Sequence, residues 1–364
     1  MARDQIHVTI NGRQVEADEG RLLIDVAEEL DIFVPRFCYH PGMASVAACR
    51  MCLVEVEGAK KLLPACATSI TDGMVVRTDG EAATEAQRAV LELLLINHPL
   101  DCPICDRGGE CPLQDQALAF GPGATRYQEA KRHFPKPLPI SKLVMLDRER
   151  CVLCWRCARF CDEVAGDAFI ELVDRGSATQ INTASDEEFH SYFSGNTIQV
   201  CPVGALTSKP YRFLSRPWDL QATASVCSYC AVGCPLSIEQ RGGELLRTQA
   251  LPNEHVNSFW SGDEGRFGHR YVSHRDRLRA PLMRGADGYA EVSWDRALSE
   301  IATRIRWTID NHGPAACGFI GGSHATNEDL HGAARLFREV IGTPNLDVRT
   351  FDAASHTTCS PTAA

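Results

Sequence analysis

Nowhere in the 364 residues is there a run of about 18 apolar residues, so no segment is expected to span a membrane. The opening Met1-Ala2-Arg3-Asp4-Gln5 has neither an apolar signal core nor Arg/Ser-rich transit character, which makes the cytosol the expected compartment. Positive charge is also short. With 37 Lys and Arg against 47 Asp and Glu, the formal net charge is -10, which argues against a general nucleic-acid binder. No Walker or G-x-G-x-x-G sequence offers a nucleotide cradle. No Ser/His/Asp or paired-carboxylate pattern suggests bond-making catalysis. An apolar content of 44% with 23% charged residues excludes disorder and collagen and leaves a globular chain of several domains.

Cysteine, by contrast, is plentiful: there are 17. In a cytosolic setting disulfides are rare, and clustered cysteines point to metal or catalysis. They form four groups: Cys38, Cys49, Cys52 and Cys66; Cys102, Cys105 and Cys111; Cys151, Cys154, Cys157, Cys161 and Cys201; and Cys227, Cys230 and Cys234. Cys317 and Cys359 stand alone.

The pattern around the first group predicts a β-grasp domain. Ile6, Val8 and Ile10 alternate with polar residues, Asn11-Gly12 is a strong hairpin signal, and Val15 and Ala17 continue a second strand. Leu22, Val26 and Leu30 then mark a helix that closes near Pro35, and residues 53–56 read as a further strand. Residues 82–97 predict a helix with Ala86, Ala89, Val90, Leu93 and Leu94 on one face, ended by His98-Pro99. Four prolines within residues 121–140 predict an extended connector. Beyond residue 281, Ser293-Trp294-Asp295 introduces a helix bearing Ala297, Ile301 and Ile305. Cys317–Gly322 reads as a buried strand, and a helix over about 328–341 completes the start of an α/β unit.

Thiolates suit zinc, copper(I) and iron–sulfur clusters, and spacing discriminates among them. Zinc sites usually pair two C-x2-C knuckles. The third group instead runs Cys151-x2-Cys154-x2-Cys157 with a remote Cys201-Pro202, the [4Fe–4S] ferredoxin pattern. Asp162, not proline, follows Cys161, and no second such run precedes residue 201, so Cys161 reads as a small buried residue. The first group, C-x10-C-x2-C-x13-C on a β-grasp start, reads as a [2Fe–2S] site, with zinc as the alternative. The second group lacks a fourth thiolate. His98 could supply an imidazole, or could simply sit at a helix end. The fourth group has no downstream cysteine before Cys317 and is the weakest.

These groups in this order resemble the G-type large iron–sulfur subunits of NADH–quinone oxidoreductase, respiratory complex I, over about the whole chain. The resemblance implies an α+β multidomain chain. Its parts would be a [2Fe–2S] ferredoxin-type domain over 1–81, a His(Cys)3 [4Fe–4S] segment over 82–122 and a ferredoxin-like [4Fe–4S] segment over 141–215. A [4Fe–4S] domain of the molybdenum-enzyme type over 220–280 and the start of a molybdopterin-oxidoreductase-like domain over 281–364 would follow. It places a [2Fe–2S] cluster on Cys38, Cys49, Cys52 and Cys66. It places [4Fe–4S] clusters on His98, Cys102, Cys105 and Cys111, and on Cys151, Cys154, Cys157 and Cys201. An off-path [4Fe–4S] cluster would lie on Cys227, Cys230 and Cys234. The family's last ligand belongs to a C-D-x-G-R-F-G motif, which here begins with Gly262. A three-iron cluster, ligation by Ser261 and an empty site all stay open there, so two or three [4Fe–4S] clusters are expected, and no molybdenum. The implied role is electron transfer from an NADH-binding flavin subunit toward quinone. The partners would be that subunit, peripheral iron–sulfur subunits and indirectly the membrane arm, at the cytoplasmic side of the plasma membrane. Arg50, Arg156 and Arg159, lying among the ligands, either offset cluster charge or are solvated surface.

Three alternatives are weaker. An NAD-linked formate dehydrogenase would resemble a two-cluster ferredoxin in the third region and would carry a molybdenum ligand after an N-x-D element. Here that place holds Ala353, and Cys359 fits only with an insertion. An iron-only hydrogenase would need catalytic cysteines that this chain lacks. A zinc-stabilised scaffold would be colourless.

Overall fold

A computed structural model describes residues 5–183, 188–322 and 325–349. Cys359 and Ala353 lie outside the described residues. The chain divides into two compact units, the first ending at Arg270 and the second beginning at Tyr271.

The first unit opens with strands β1 (Gln5–Ile10) and β2 (Arg13–Asp18), paired antiparallel through Asn11-Gly12. Both turn residues have positive φ, 48° and 78°, as a type I′ hairpin requires. Ile6, Val8 and Ile10 face inward, as their alternation predicts. Helix α1 (Leu23–Glu29) buries Leu23, Ile24, Val26 and Ala27 against the sheet. It stops short of Pro35; of the expected stripe Val26 is fully buried, and Leu22 and Leu30, just outside the helix, pack against the same core. Strands β3 (Leu53–Val56), β4 (Leu63–Pro64) and β5 (Val75–Arg77) complete a five-stranded sheet ordered β2-β1-β5-β3-β4, with β1 and β5 parallel. This is the β-grasp arrangement.

Helix α2 (Glu81–Ile96) follows. Its fully buried stripe is Ala83, Gln87 and Leu91; of the face expected from sequence Val90 and Leu94 pack against the core, while Leu93 is 69% exposed. Gln87 is the reason for the difference. This polar residue sits inside, within reach of the Thr78 carbonyl, so apolar spacing alone gives only part of the face. Helix α3 (Pro112–Phe120) starts with proline in its first turn, where no amide partner is lost. The proline-rich stretch is extended up to β6 (Leu138–Pro139), which joins β7 (Val144–Leu146).

Helix α4 (Arg156–Arg159), the hairpin of β8 (Ile170–Val173) and β9 (Gln180–Thr183), and helix α5 (Ser194–Val200) precede β10 (Leu206–Ser208), which returns to pair with β7. One apolar core runs from Phe37 and Met51 through Leu91, Leu113 and Phe160 to Val200 and Leu206. A separate antiparallel sheet of β11 (Gln221–Val226), β12 (Pro235–Arg241) and β13 (Glu244–Ala250) is followed by the short helix α6 (Asp263–Phe267). Arg247 on β13 ties this sheet to the second cysteine segment. It donates to both oxygens of Glu110 at 2.9 and 2.7 Å and to Glu239 at 2.5 Å.

The second unit contains the hairpin β14 (Leu282–Gly285) and β15 (Gly288–Glu291), then helix α7 (Trp294–His312) capped by the Ser293 hydroxyl. Strand β16 (Phe319–Gly322), helix α8 (Asn327–Arg335) and strand β17 (Leu346–Arg349) form a parallel βαβ unit. Ile320 is 76% exposed, so the expected buried strand is uncovered on one face. No helix among the described residues is long and apolar enough to cross a membrane.

Candidate cluster-binding sites

Four sites gather the cysteines, the second and third of them as cavities. In the first, the long loop between α1 and β3 carries Cys38, Cys49 and Cys52, and the one-turn helix 65–67 brings in Cys66. Ala47 and Arg50 take positive φ to turn that loop back on itself. The Cys38 amide donates to Cys49 Sγ at 3.5 Å. Cys38 bonds with Cys49, and Cys66 with both Cys38 and Cys52, so the four thiols form one connected group. The Cys38 hydrogen bond, with burial, pushes the Cys49 thiol up, while the Cys66 bond pulls the Cys52 thiol down. Four thiols in one connected group suit a two-iron cluster, in which each iron takes two thiolates.

At the second pocket, His98 follows the end of α2, Cys102 and Cys105 occupy a short turn, and Cys111 caps α3. All four line one cavity of about 290 Å³ together with Leu95, Leu113, Arg150 and Gly204. His98 Nδ1 is buried without a hydrogen-bond partner among the described residues. Burial first, then Arg150 and Lys131, pushes the imidazole down to about 4, leaving it neutral with a lone pair to give. At Gly204 an added Cβ would overlap Cys105 Sγ. Three thiols, an unsatisfied neutral imidazole and a cradle that excludes any side chain at residue 204 fit a four-iron cluster.

The third pocket is tighter. Leu153 and Trp155 adopt positive φ of 49° and 65°, coiling the Cys151–Cys157 loop so that its three thiols face Cys201 amid Leu146, Ile181 and Val203. Burial and the neighbouring thiols push Cys151, Cys154 and Cys157 up, Cys154 to about 12. A deprotonated set here needs the positive charge that iron provides. Cys161 is buried but does not line this pocket. Cys161→Ala is therefore expected to leave iron and sulfide content unchanged and to cost only about 1 kcal/mol of packing; lost iron would mark it as a ligand.

The fourth group occupies the β11–β12 hairpin tip, where the Cys227 amide donates to the Cys234 carbonyl at 2.8 Å. Cys227 and Cys234 are buried and Cys230 is exposed. A Cβ at Gly265 would lie 2.7 Å from Cys227 Sγ, so α6 packs against this site. Gly262 opens that helix, and the space a side chain would take there is filled by the Tyr192 ring, 2.5 Å from an added Cβ. The Ser261 hydroxyl is held by Arg266 at 3.0 Å. Three thiols are present, and a fourth at position 262 would require the half-exposed Tyr192 ring to move aside.

Arginines join the first three sites, two of them, Arg156 and Arg159, already conspicuous in the sequence and one, Arg107, not. Buried Arg159 on α4 donates to the carbonyls of Cys38 and Ala44. Arg156 donates to the Tyr39 carbonyl and, at 3.3 Å, to that of Val200. Both therefore sit between the first and third groups, whereas Arg50 is exposed. Arg107 donates to the Gln199 and Cys201 carbonyls at 3.1 and 2.5 Å, and Cys111 Sγ lies 3.8 Å from the Pro202 carbonyl. The segment 201–204 thus borders the third pocket with Cys201 and the second with Gly204. In space the order is first, third, second, although the chain runs first, second, third.

A β-grasp [2Fe–2S]-type domain continued by successive [4Fe–4S]-type segments defines a multidomain iron–sulfur oxidoreductase component. Family models agree segment by segment. They are a 2Fe-2S iron-sulfur cluster binding domain over 3–81, the NADH-ubiquinone oxidoreductase-G iron-sulfur binding region over 87–126 and the NADH-quinone oxidoreductase subunit 3 ferredoxin-like domain over 141–207. A molybdopterin oxidoreductase Fe4S4 domain matches 220–274, and molybdopterin oxidoreductase matches 277–359. The chain is 48% identical over 349 residues to the G-type subunit of NADH-quinone oxidoreductase from Streptomyces coelicolor, covering 95% of this chain and 41% of that protein. It is 47% identical over 352 residues to the corresponding subunit of Mycobacterium bovis, covering 95% and 43%. The mitochondrial NADH-ubiquinone oxidoreductase 78 kDa subunit of Candida albicans is 42% identical over 299 residues, 82% of this chain and 41% of that one. A solved NAD+-reducing [NiFe]-hydrogenase aligns with a TM-score of 0.52 at 26% identity, covering 58% of this chain and 90% of its own. Over the length it spans, the chain belongs to the family of G-type subunits of NADH-quinone oxidoreductase. It spans about two-fifths of the length of these bacterial relatives.

Proposed function

We propose that this chain is an electron-transfer part of an NADH–quinone oxidoreductase, carrying electrons from an NADH-oxidising flavin subunit toward quinone. It would sit in the peripheral arm at the cytoplasmic face of the plasma membrane, against the flavin and other iron–sulfur subunits. Cys38, Cys49, Cys52 and Cys66 hold a [2Fe–2S] cluster. His98, Cys102, Cys105 and Cys111 hold a [4Fe–4S] cluster, as do Cys151, Cys154, Cys157 and Cys201. When bound, these clusters supply one-electron acceptance and release. The protein's part is positional. Arg156 and Arg159 fix the first ligand loop against the third, segment 201–204 joins the third pocket to the second, and the apolar lining excludes water. The observation that carries the reading is that shared segment, which holds two pockets within one stretch of backbone. A zinc scaffold fits less well. Three cysteines on one tight loop with a remote Cys201 depart from the paired C-x2-C knuckles that zinc sites usually use.

Anaerobic purification tests the proposal. The chain is expected to be brown, to contain about ten irons from the first three sites and to show EPR signals on reduction. A colourless protein with stoichiometric zinc would sink it.

A further inference from the structure

We infer that the fourth site holds a cluster whose fourth iron is bound through oxygen, by the Glu264 carboxylate oriented by Tyr192, where a cysteine at position 262 would otherwise serve. This rests on the reading that Cys227, Cys230 and Cys234 bind iron. Position 262 offers no donor, and the Tyr192 ring fills the space a cysteine side chain would need, its hydroxyl 2.7 Å from an added Cβ. The other oxygen donors of this turn are engaged. Ser261 Oγ accepts from Arg266, and the Asp263 carboxylate accepts from the Ser194 hydroxyl and, at 2.7 Å, from the Gly195 amide. Glu264, with only its Oε2 hydrogen-bonded among the described residues, stands on the turn of α6 where Cys227 Sγ packs against the adjacent Gly265. The Tyr192 hydroxyl donates to Glu264 Oε2 at 3.4 Å, and the Tyr192 carbonyl accepts from the Asp263 amide at 2.9 Å, fixing the ring against the helix start. Three soft thiolates and one hard carboxylate make one corner unlike the other three.

An oxygen-bound corner should yield its iron to a mild oxidant. With ferricyanide as electron acceptor, [4Fe–4S]2+ gives [3Fe–4S]+, one Fe2+ and one electron, which reduces ferricyanide to ferrocyanide.

The full chain, purified anaerobically, is assayed for iron and sulfide, by EPR and by Mössbauer spectroscopy. About four irons beyond the first ten are expected, and Cys227→Ser should remove those alone. Ferricyanide should release one iron per chain and produce a three-iron EPR signal. Glu264→Gln should weaken retention of that iron by about 10–100-fold, and Tyr192→Phe should do so less. The paired change Tyr192→Ala/Gly262→Cys supplies a thiolate with room to stand and should stop the release. Iron limited to the first ten, indifferent to Cys227, would overturn this inference while leaving the electron-transfer reading intact. Iron release unaffected by Glu264→Gln would overturn it equally. Loss of the first ten irons would instead refute the underlying reading.

Discussion

Replacing Gly204 with alanine is expected to strip the chain of the cluster held by His98, Cys102, Cys105 and Cys111 and to leave the first and third sites loaded. The added methyl would overlap Cys105 Sγ, well inside contact distance. A free thiol could swing aside, but a thiolate tied to iron has one permitted position. The substitution therefore sets an overpacking cost of about 1–3 kcal/mol against ligand geometry. The measurable result is a loss of about four irons per chain, with the [2Fe–2S] signal unchanged. Full iron content in Gly204→Ala would show that the segment 201–204 has slack the packing does not reveal.

The second large effect is expected at Arg159. Its guanidinium is buried and donates to the carbonyls of Cys38 and Ala44, residues more than a hundred positions earlier in the chain. Arg159→Met keeps much of the volume, removes the charge and leaves the buried Cys38 carbonyl, and the more exposed Ala44 carbonyl, without that donor. A cost of about 3 kcal/mol in stability follows. Denaturant unfolding of the anaerobic protein should show a lowered midpoint, with the first site losing iron before the third. An unchanged midpoint would mean that water satisfies those carbonyls and that the arginine is dispensable.

Much of the scaffold can be read from the chain because the forces behind it are local. The alternation of Ile6, Val8 and Ile10 and the Asn11-Gly12 turn specify a hairpin within a dozen residues. The close spacings around Cys151 and Cys227 specify a ligating loop in the same way. The tertiary partners are not legible. Gly204 looks like any loop glycine until Cys105 is beside it, and Tyr192 gives no sign that it fills the space over Gly262. Arg156 and Arg159 stand out in the sequence by lying among ligands, but only burial and the carbonyls they serve distinguish them from exposed Arg50. Part of the α2 face escapes prediction because a polar Gln87 lies inside, a choice that apolar periodicity cannot register. Ile320 reads as an interior residue because its neighbours are apolar, yet β16 pairs only with β17 among the described strands and stays open.

The placement of residues 201–204 also bears on the order of synthesis. Every thiol of the first pocket has been translated once residue 66 is made, and its sheet is complete once β5 follows, so that site can close while the ribosome is still at work. The second and third cannot. One waits for Cys201 and the other for the Gly204 backbone that completes its wall, so both become competent almost together, long after His98 and Cys151 have emerged. Until then their thiols stand exposed to oxygen and to stray metal. A nascent chain stalled before residue 201 should accept iron at one site only, which makes this short segment the checkpoint at which two of the relay positions mature as a pair.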